Sequence, residues 1–139
     1  MLGNHSKMFN KIHHIAIIGS DYNKSKEFYV KKLGFEIVRE NFRSAKQDYK
    51  IDLKCGDSEI ELFIVKNAPK RVSNPEALGL RHLAFETDDF EGDRQKLLDA
   101  GVKPAAEPIL KDTLKLALFY DVEMNLFHLI QRPKSLLSE

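Results

Sequence analysis

The chain resembles itself. Setting HIAIIGSD, which begins at His14, on HLAFETDD, which begins at His82, puts Ala16 on Ala84 and Asp21 on Asp89 at a constant offset of 68. A one-residue shift in the segment that follows changes the offset to 67. It then puts Gly34 on Gly101, EIELFIV on LFHLIQ, and Glu61 on His128. A repeat constrains the fold more than composition does, because each copy must be one supersecondary unit that cannot bury its apolar face alone. Two unrelated amphipathic segments would share an apolar alternation. They would not readily share potential metal ligands at two pairs of equivalent points.

The local signals give each copy the same outline. From Ile12 to Ile18 the β-branched density predicts a buried strand, broken by the polar cluster GSDYNKS. Asn23 or Asp21 caps a helix with Tyr22, Ser25, Tyr29 and Leu33 near one face, and Gly34 sits where a left-handed stop belongs. FEIVREN, QDYKIDLKC and EIELFIV read as three strands, the last two joined by a tight turn at CGDS. KNAPKRVSNPEALG has neither period and is a connector. The pattern then restarts with the strand LRHLAFETDD, the helix FEGDRQKLLDAG closed by Gly101, a KPAAEP loop, and the strands LKLALFYD and NLFHLIQ. The expected class is α+β, with two βαβββ modules, about 9–66 and 79–131, arranged with pseudo-twofold symmetry as a partly open sheet cleft. Residues 9–131 form one domain in this reading, 1–8 an extension or tag remnant in which His5 has little weight, and 132–139 a C-terminal tail.

Composition removes several function classes. At 139 residues and 42% hydrophobic content the chain can build one core without disulfides. The formal net charge of +1 gives no electrostatic reason to expect nucleic acid or a membrane surface as partner. No apolar run approaches the roughly 20 residues of a membrane span, and the first residues lack the apolar core of a secretion signal. The single cysteine, Cys55, fits a reducing compartment, and its strand context reads as core. A cytoplasmic protein is expected. No phosphate-binding glycine loop exists, and Ser25, Ser44 and Cys55 lie in no nucleophile motif.

Strand side chains alternate between faces, so His13 and His14 cannot both serve one inward site. The repeat selects His14. With it stand Glu61, His82 and His128, near the start of the first strand and in the last strand of each unit. Three imidazoles and a carboxylate suit one divalent first-row ion, with zinc or nickel favoured and manganese or iron(II) also compatible. Glu61 lies between apolar neighbours where an unpaired carboxylate is costly, so a metal, Lys or Arg is expected beside it. Glu59, two residues earlier, belongs at the exposed end of the strand. His13 is expected to face away from His14, and Arg81 away from His82 in a structural salt bridge. Arg43, Lys46 and Lys50 could meet an anionic substrate but read first as solvated surface.

HHIAIIGSDYNKSKEFYVKKLGFEIV, then IELF, then GLRHLAFETDD and a final short strand resemble the glyoxalase I branch of the vicinal oxygen chelate superfamily, a group shared with bleomycin resistance proteins and dioxygenases. The specific elements are the spacing from His14 to Asp21, the S-x-x-FY at Ser25, Phe28 and Tyr29, and the IEL at Glu61. The resemblance implies a metal in the cleft, ligands at His14, Glu61, His82 and position 128, and a cleft built within one chain or between two copies of a homodimer. It implies a metal-dependent glyoxalase-like enzyme of the lactoylglutathione lyase type, with Glu61 as catalytic base on a small substrate chelated through vicinal oxygens. The family's final glutamate is replaced here by His128, which turns the expectation toward a different oxygen-chelating substrate. An iron(II) ring-cleaving dioxygenase and a protein that sequesters a small molecule, such as an antibiotic, are the alternatives.

Overall fold

A computed structural model of the chain describes residues 8–133. Residues 1–7 of the expected extension, with His5, and residues 134–139 of the expected tail lie outside the described residues. The described chain is α+β: nine strands in two sheets, with a short helical segment in each module.

The first module runs β1 (His14–Gly19), α1 (Tyr22–Lys26) continued by a π-helical turn (Glu27–Lys32), β2 (Glu36–Arg43), β3 (Asp48–Cys55) and β4 (Ser58–Ile64). The second runs β5 (Leu83–Glu86), α2 (Phe90–Asp99), β6 (Lys103–Pro104), β7 (Ile109–Lys111), β8 (Leu114–Tyr120) and β9 (Leu126–Gln131). The sheet orders are β1-β4-β3-β2 and β5-β9-β8-β6, with β7 also on β8. The repeat holds at the level of register. Parallel pairing sets Ala16 beside Glu61 in the first sheet and Ala84 beside His128 in the second, the residues matched by the sequence offsets.

The repeated signals have physical causes. Asp21 and Asp89 each cap a helix, accepting from Lys24 N at 2.9 Å and Gly92 N at 3.1 Å. Gly34 and Gly101 both stand at φ +81°, where a side chain would be strained. Two expectations need correction. The first helix does not keep a 3.6-residue period: Leu33 N bonds Phe28 O, five residues back, so its second half is π-helical. The KPAAEP segment is not plain loop, since β6 and then β7 add to β8, with β7 completing the outer hairpin. These strands are two and three residues long, too short for a period-2 signal.

The S-x-x-FY element ties the modules together. Ser25 is fully buried against Gly19, where an added Cβ would come within 2.2 Å of the serine oxygen, so only glycine lets the helix approach β1. Phe28 packs edge-on to Phe127 at 6.1 Å between centroids, and Phe35 meets Phe85 at 5.2 Å. The Tyr29 hydroxyl donates to Asp121 at 2.5 Å, and burial together with that carboxylate pushes the phenol pKa well up. The core therefore runs from Ile51, Leu53 and Leu62 of one sheet through the π-helical turn to Phe119 and Phe127 of the other.

Candidate metal-binding half-sites

Alternation places the core residues Ile60, Leu62 and Ile64 of β4 on one face and Glu59, Glu61 and Phe63 on the other. On that second face β1 contributes His14, Ala16 and Ile18, and Ile18 is 54% exposed. His14 Nε2 stands 3.5 Å from Glu61 Oε2. Two ligand atoms about 2.0–2.1 Å from a tetrahedral ion lie roughly 3.4 Å apart, so the pair is already spaced to share a cation.

Glu61 also has a protein cation beside it, as its apolar surroundings require: Lys50 Nζ, 3.6 Å away. Lys50 reaches the fully buried Asp52 at 3.1 Å, and Arg39 binds Asp52 at 2.6 Å and Glu59 at 3.6 Å. Lys50 thus belongs to an ion-pair network around Glu61 rather than to solvated surface. Register alone exposes this, because Asp52 is paired with Glu61 across β3 and β4. Arg43 is engaged with Asp48 at 2.7 Å.

The second module holds the other pair. The rings of His82 and His128 stack at 3.7 Å with 17° between planes. His128 is buried, and its Nε2 has no hydrogen-bond partner. Burial first, then the neighbouring His82 and Arg81, lower the His128 pKa to about 4; burial and Arg81 lower that of His82 as well. A buried neutral imidazole with an idle ring nitrogen is what a metal ligand needs to be. Leu118 occupies the place across from His128 that Asp52 takes across from Glu61, so this wall is apolar where the first is charged.

The unfolded chain takes up a proton at His128 below about pH 6.5, while the folded state refuses it down to about pH 4. Stability therefore falls as pH drops through that window. The metal-free protein should lose about 2 kcal/mol more than its His128→Gln variant between these limits, read by urea melts in chelator. Equal losses in both would remove the buried neutral imidazole.

His13 departs from expectation, and Arg81 meets it only in part. The Nδ1 atoms of His13 and His14 are 2.9 Å apart, with the rings edge-on at 5.1 Å. Arg81 forms its ion pair with Glu76, yet its Nη1 also lies 2.9 Å from His82 Nδ1. Both residues precede the first residue of a strand, outside the regular pleat, so alternation does not govern them.

The four candidate residues stand as two pairs. Among the described residues, no three His, Cys, Asp or Glu side chains converge on one point of a single chain. A cavity of about 340 Å³ lined by Leu33, Phe35, Phe85, Leu97, Phe127 and Leu129 belongs to neither pair. Phe127 and Leu129 flank His128 in sequence and so point to the opposite side of β9. Cys55, half-buried rather than core, lies at its edge.

Two sheets repeating one strand plan, each with a histidine at or immediately before its first strand and a ligand-type residue in its last, are accompanied by a family match over nearly the whole chain. The model of the Glyoxalase/Bleomycin resistance protein/Dioxygenase superfamily covers residues 11–129, and the chain belongs to that superfamily. YwkD of Bacillus subtilis (strain 168) is 45% identical over 118 residues, which are 82% of this chain and 91% of YwkD. The crystal structure of SMU.1112c has a TM-score of 0.81 at 46% identity, covering 89% of this chain and 99% of that one. A glyoxalase family protein from Enterococcus faecalis gives 0.81 at 43% identity, with the same coverage. No helix among the described residues is long and apolar enough to cross a membrane.

Proposed function

We propose that the protein is a metal-dependent enzyme of the glyoxalase type, acting on a small substrate that offers two neighbouring oxygens. In this reading its site is completed between two copies of the chain. The observation that carries it is the His14–Glu61 pair, two ligand atoms 3.5 Å apart on an open sheet face. The idle Nε2 of His128 fits the same donor set. Because the pairs do not converge within one chain, His14 and Glu61 of one copy would meet His82 and His128 of another under twofold symmetry. The open faces support such a partner, since Ile18 and, near His82, Leu80 remain 54% and 79% exposed.

A divalent ion bound there supplies Lewis-acid polarisation of the substrate oxygens, with zinc or nickel the best match to imidazole and carboxylate. The residues do the rest. Glu61 is the group to remove a proton from carbon beside a carbonyl, while Lys50, 3.6 Å away, provides a fixed positive charge next to the carboxyl group. Leu116, Leu118 and Ile130 give the opposite wall an apolar surface. A substrate with an oxygen-bearing end and an apolar body fits that combination better than a uniformly polar one.

Elemental analysis of tag-free protein, with melting curves in the presence and absence of a chelator, tests the reading. Bound zinc or nickel and a chelator-sensitive melt are expected. Metal-free protein with an indifferent melt would overturn it in favour of small-molecule sequestration, and oxygen uptake on catechols with iron(II) would favour ring cleavage. On a panel of 2-oxoaldehyde hemithioacetals, Glu61→Gln should reduce turnover by about a hundredfold or more with the melt unchanged. Undiminished turnover would remove Glu61 from the role of base.

A further inference from the structure

His13 and Arg81 occupy equivalent places in the repeat, each one residue before the histidine of its half-site. Each has a polar atom 2.9 Å from Nδ1 of that histidine. The chemistry of the two contacts differs. A guanidinium can only donate, so Arg81 uses the lone pair of His82 Nδ1, and the neutral His82 then carries its proton on Nε2. An imidazole can donate or accept, so the His13–His14 contact has two states. With the shared proton on His13, His14 bears its own on Nε2 and points it at Glu61. With the shared proton on His14, the Nε2 lone pair of His14 is free on the side where Glu61 stands.

We propose that His13 is a positioning residue for His14. It accepts the Nδ1 proton of His14 when a divalent cation takes Nε2, and holds its own proton on its Nε2, which an exposed ring can hydrate. The exchange conserves protons within the pair: one moves from His14 Nε2 to Nδ1, one from His13 Nδ1 to Nε2. His13 is fixed for this by its backbone, whose carbonyl accepts from Glu59 N at 3.0 Å and so holds it at the mouth of β1. The first half-site therefore reaches its ligand tautomer without breaking the His13–His14 contact, the cation replacing the proton that faced Glu61. The second reaches it only when Arg81 lets go of His82. Groups that orient a ligating imidazole through its other nitrogen typically contribute ten- to hundredfold in metal affinity.

The inference rests on His14 being a ligand, and the experiment separates the two ideas. Zinc binding is measured by calorimetry for the wild type, His13→Phe, His13→Gln and His14→Ala in mildly alkaline buffer. Nitrogen-15 correlation spectra of the imidazoles, recorded with and without zinc, report the tautomers. His13→Phe should weaken zinc binding about tenfold or more, and His13→Gln, whose carbonyl can accept the same proton, should stay within about threefold of wild type. The spectra of the zinc form should show His14 protonated at Nδ1 and His13 at Nε2. Wild-type affinity in His13→Phe, or equal losses in the Phe and Gln variants, would overturn the positioning role alone. Wild-type affinity in His14→Ala would overturn the site itself.

Discussion

Co-expressing His14→Ala and His128→Ala chains should restore about a quarter of the wild-type metal content that neither variant holds alone. The arithmetic follows from sharing. If each site takes His14 and Glu61 from one copy and His128 from the other, a dimer of either variant has two broken sites. A mixed dimer concentrates both lesions in one site and leaves the other intact. Random pairing makes about half the dimers mixed, each with one good site of two. Metal is read after dialysis against a competing chelator, which strips ions held by an incomplete set. A site contained in one chain would give no recovery, because every chain in the mixture lacks one ligand. The same mixture should recover turnover in the same proportion, since Glu61 stays with the intact His14.

How far the sequence anticipates this arrangement depends on the range of each signal. Capping aspartates, stop glycines and the Cys55–Ser58 hairpin act within a few residues: Asp21, Gly34 and Gly101 take the expected roles, and Asp89, read as the end of a strand, caps α2 as its repeat partner Asp21 caps α1. The repeat carries the long-range information. It equates Ala16 with Ala84 and Glu61 with His128, and the strand registers match those identities. What was not legible sits where these rules stop applying. His13 and Arg81 lie just outside strands, where alternation does not govern, and each touches the histidine that follows it, although Arg81 does form the expected salt bridge, with Glu76. Lys50 looked like surface because its partner Asp52 is a strand neighbour two residues on, while its other partner, Glu61, comes from the next strand. Offsets equate positions in two modules without saying how the modules face one another. The sequence equates His14 with His82 and Glu61 with His128 and leads to an expectation of all four around one ion, whereas within one chain the described residues stand as two separate pairs.

Asp121 should be the most costly polar residue to remove outside the half-sites. It is buried at the end of β8, and its carboxylate accepts from Tyr29 Oη at 2.5 Å, Glu123 N at 2.9 Å, Asn125 N at 2.8 Å and Asn125 Nδ2 at 3.0 Å. One side chain thus closes the turn that launches β9, with His128 on it, and anchors the π-helical turn of the other module. Asp121→Ala leaves the hydroxyl of the buried Tyr29 and two backbone donors to find other partners. At about 1–3 kcal/mol for each buried group left unpaired, and with water reaching the turn, the expected loss is about 3–4 kcal/mol. Against the usual 5–15 kcal/mol of a domain, that should lower Tm by roughly 10 °C or more. Tyr29→Phe removes one of the four donors and leaves the turn bonded, so it should cost no more than about 1–2 kcal/mol. In the double variant the losses should fall short of additive, because the bond between the modules can be lost only once. Urea and thermal melts of the three proteins measure this directly. A loss below about 1 kcal/mol for Asp121→Ala, or strict additivity, would mean that the modules are held by the aromatic contacts of Phe28 and Phe35 alone, and that the helix anchor and the turn beneath His128 are energetically separate.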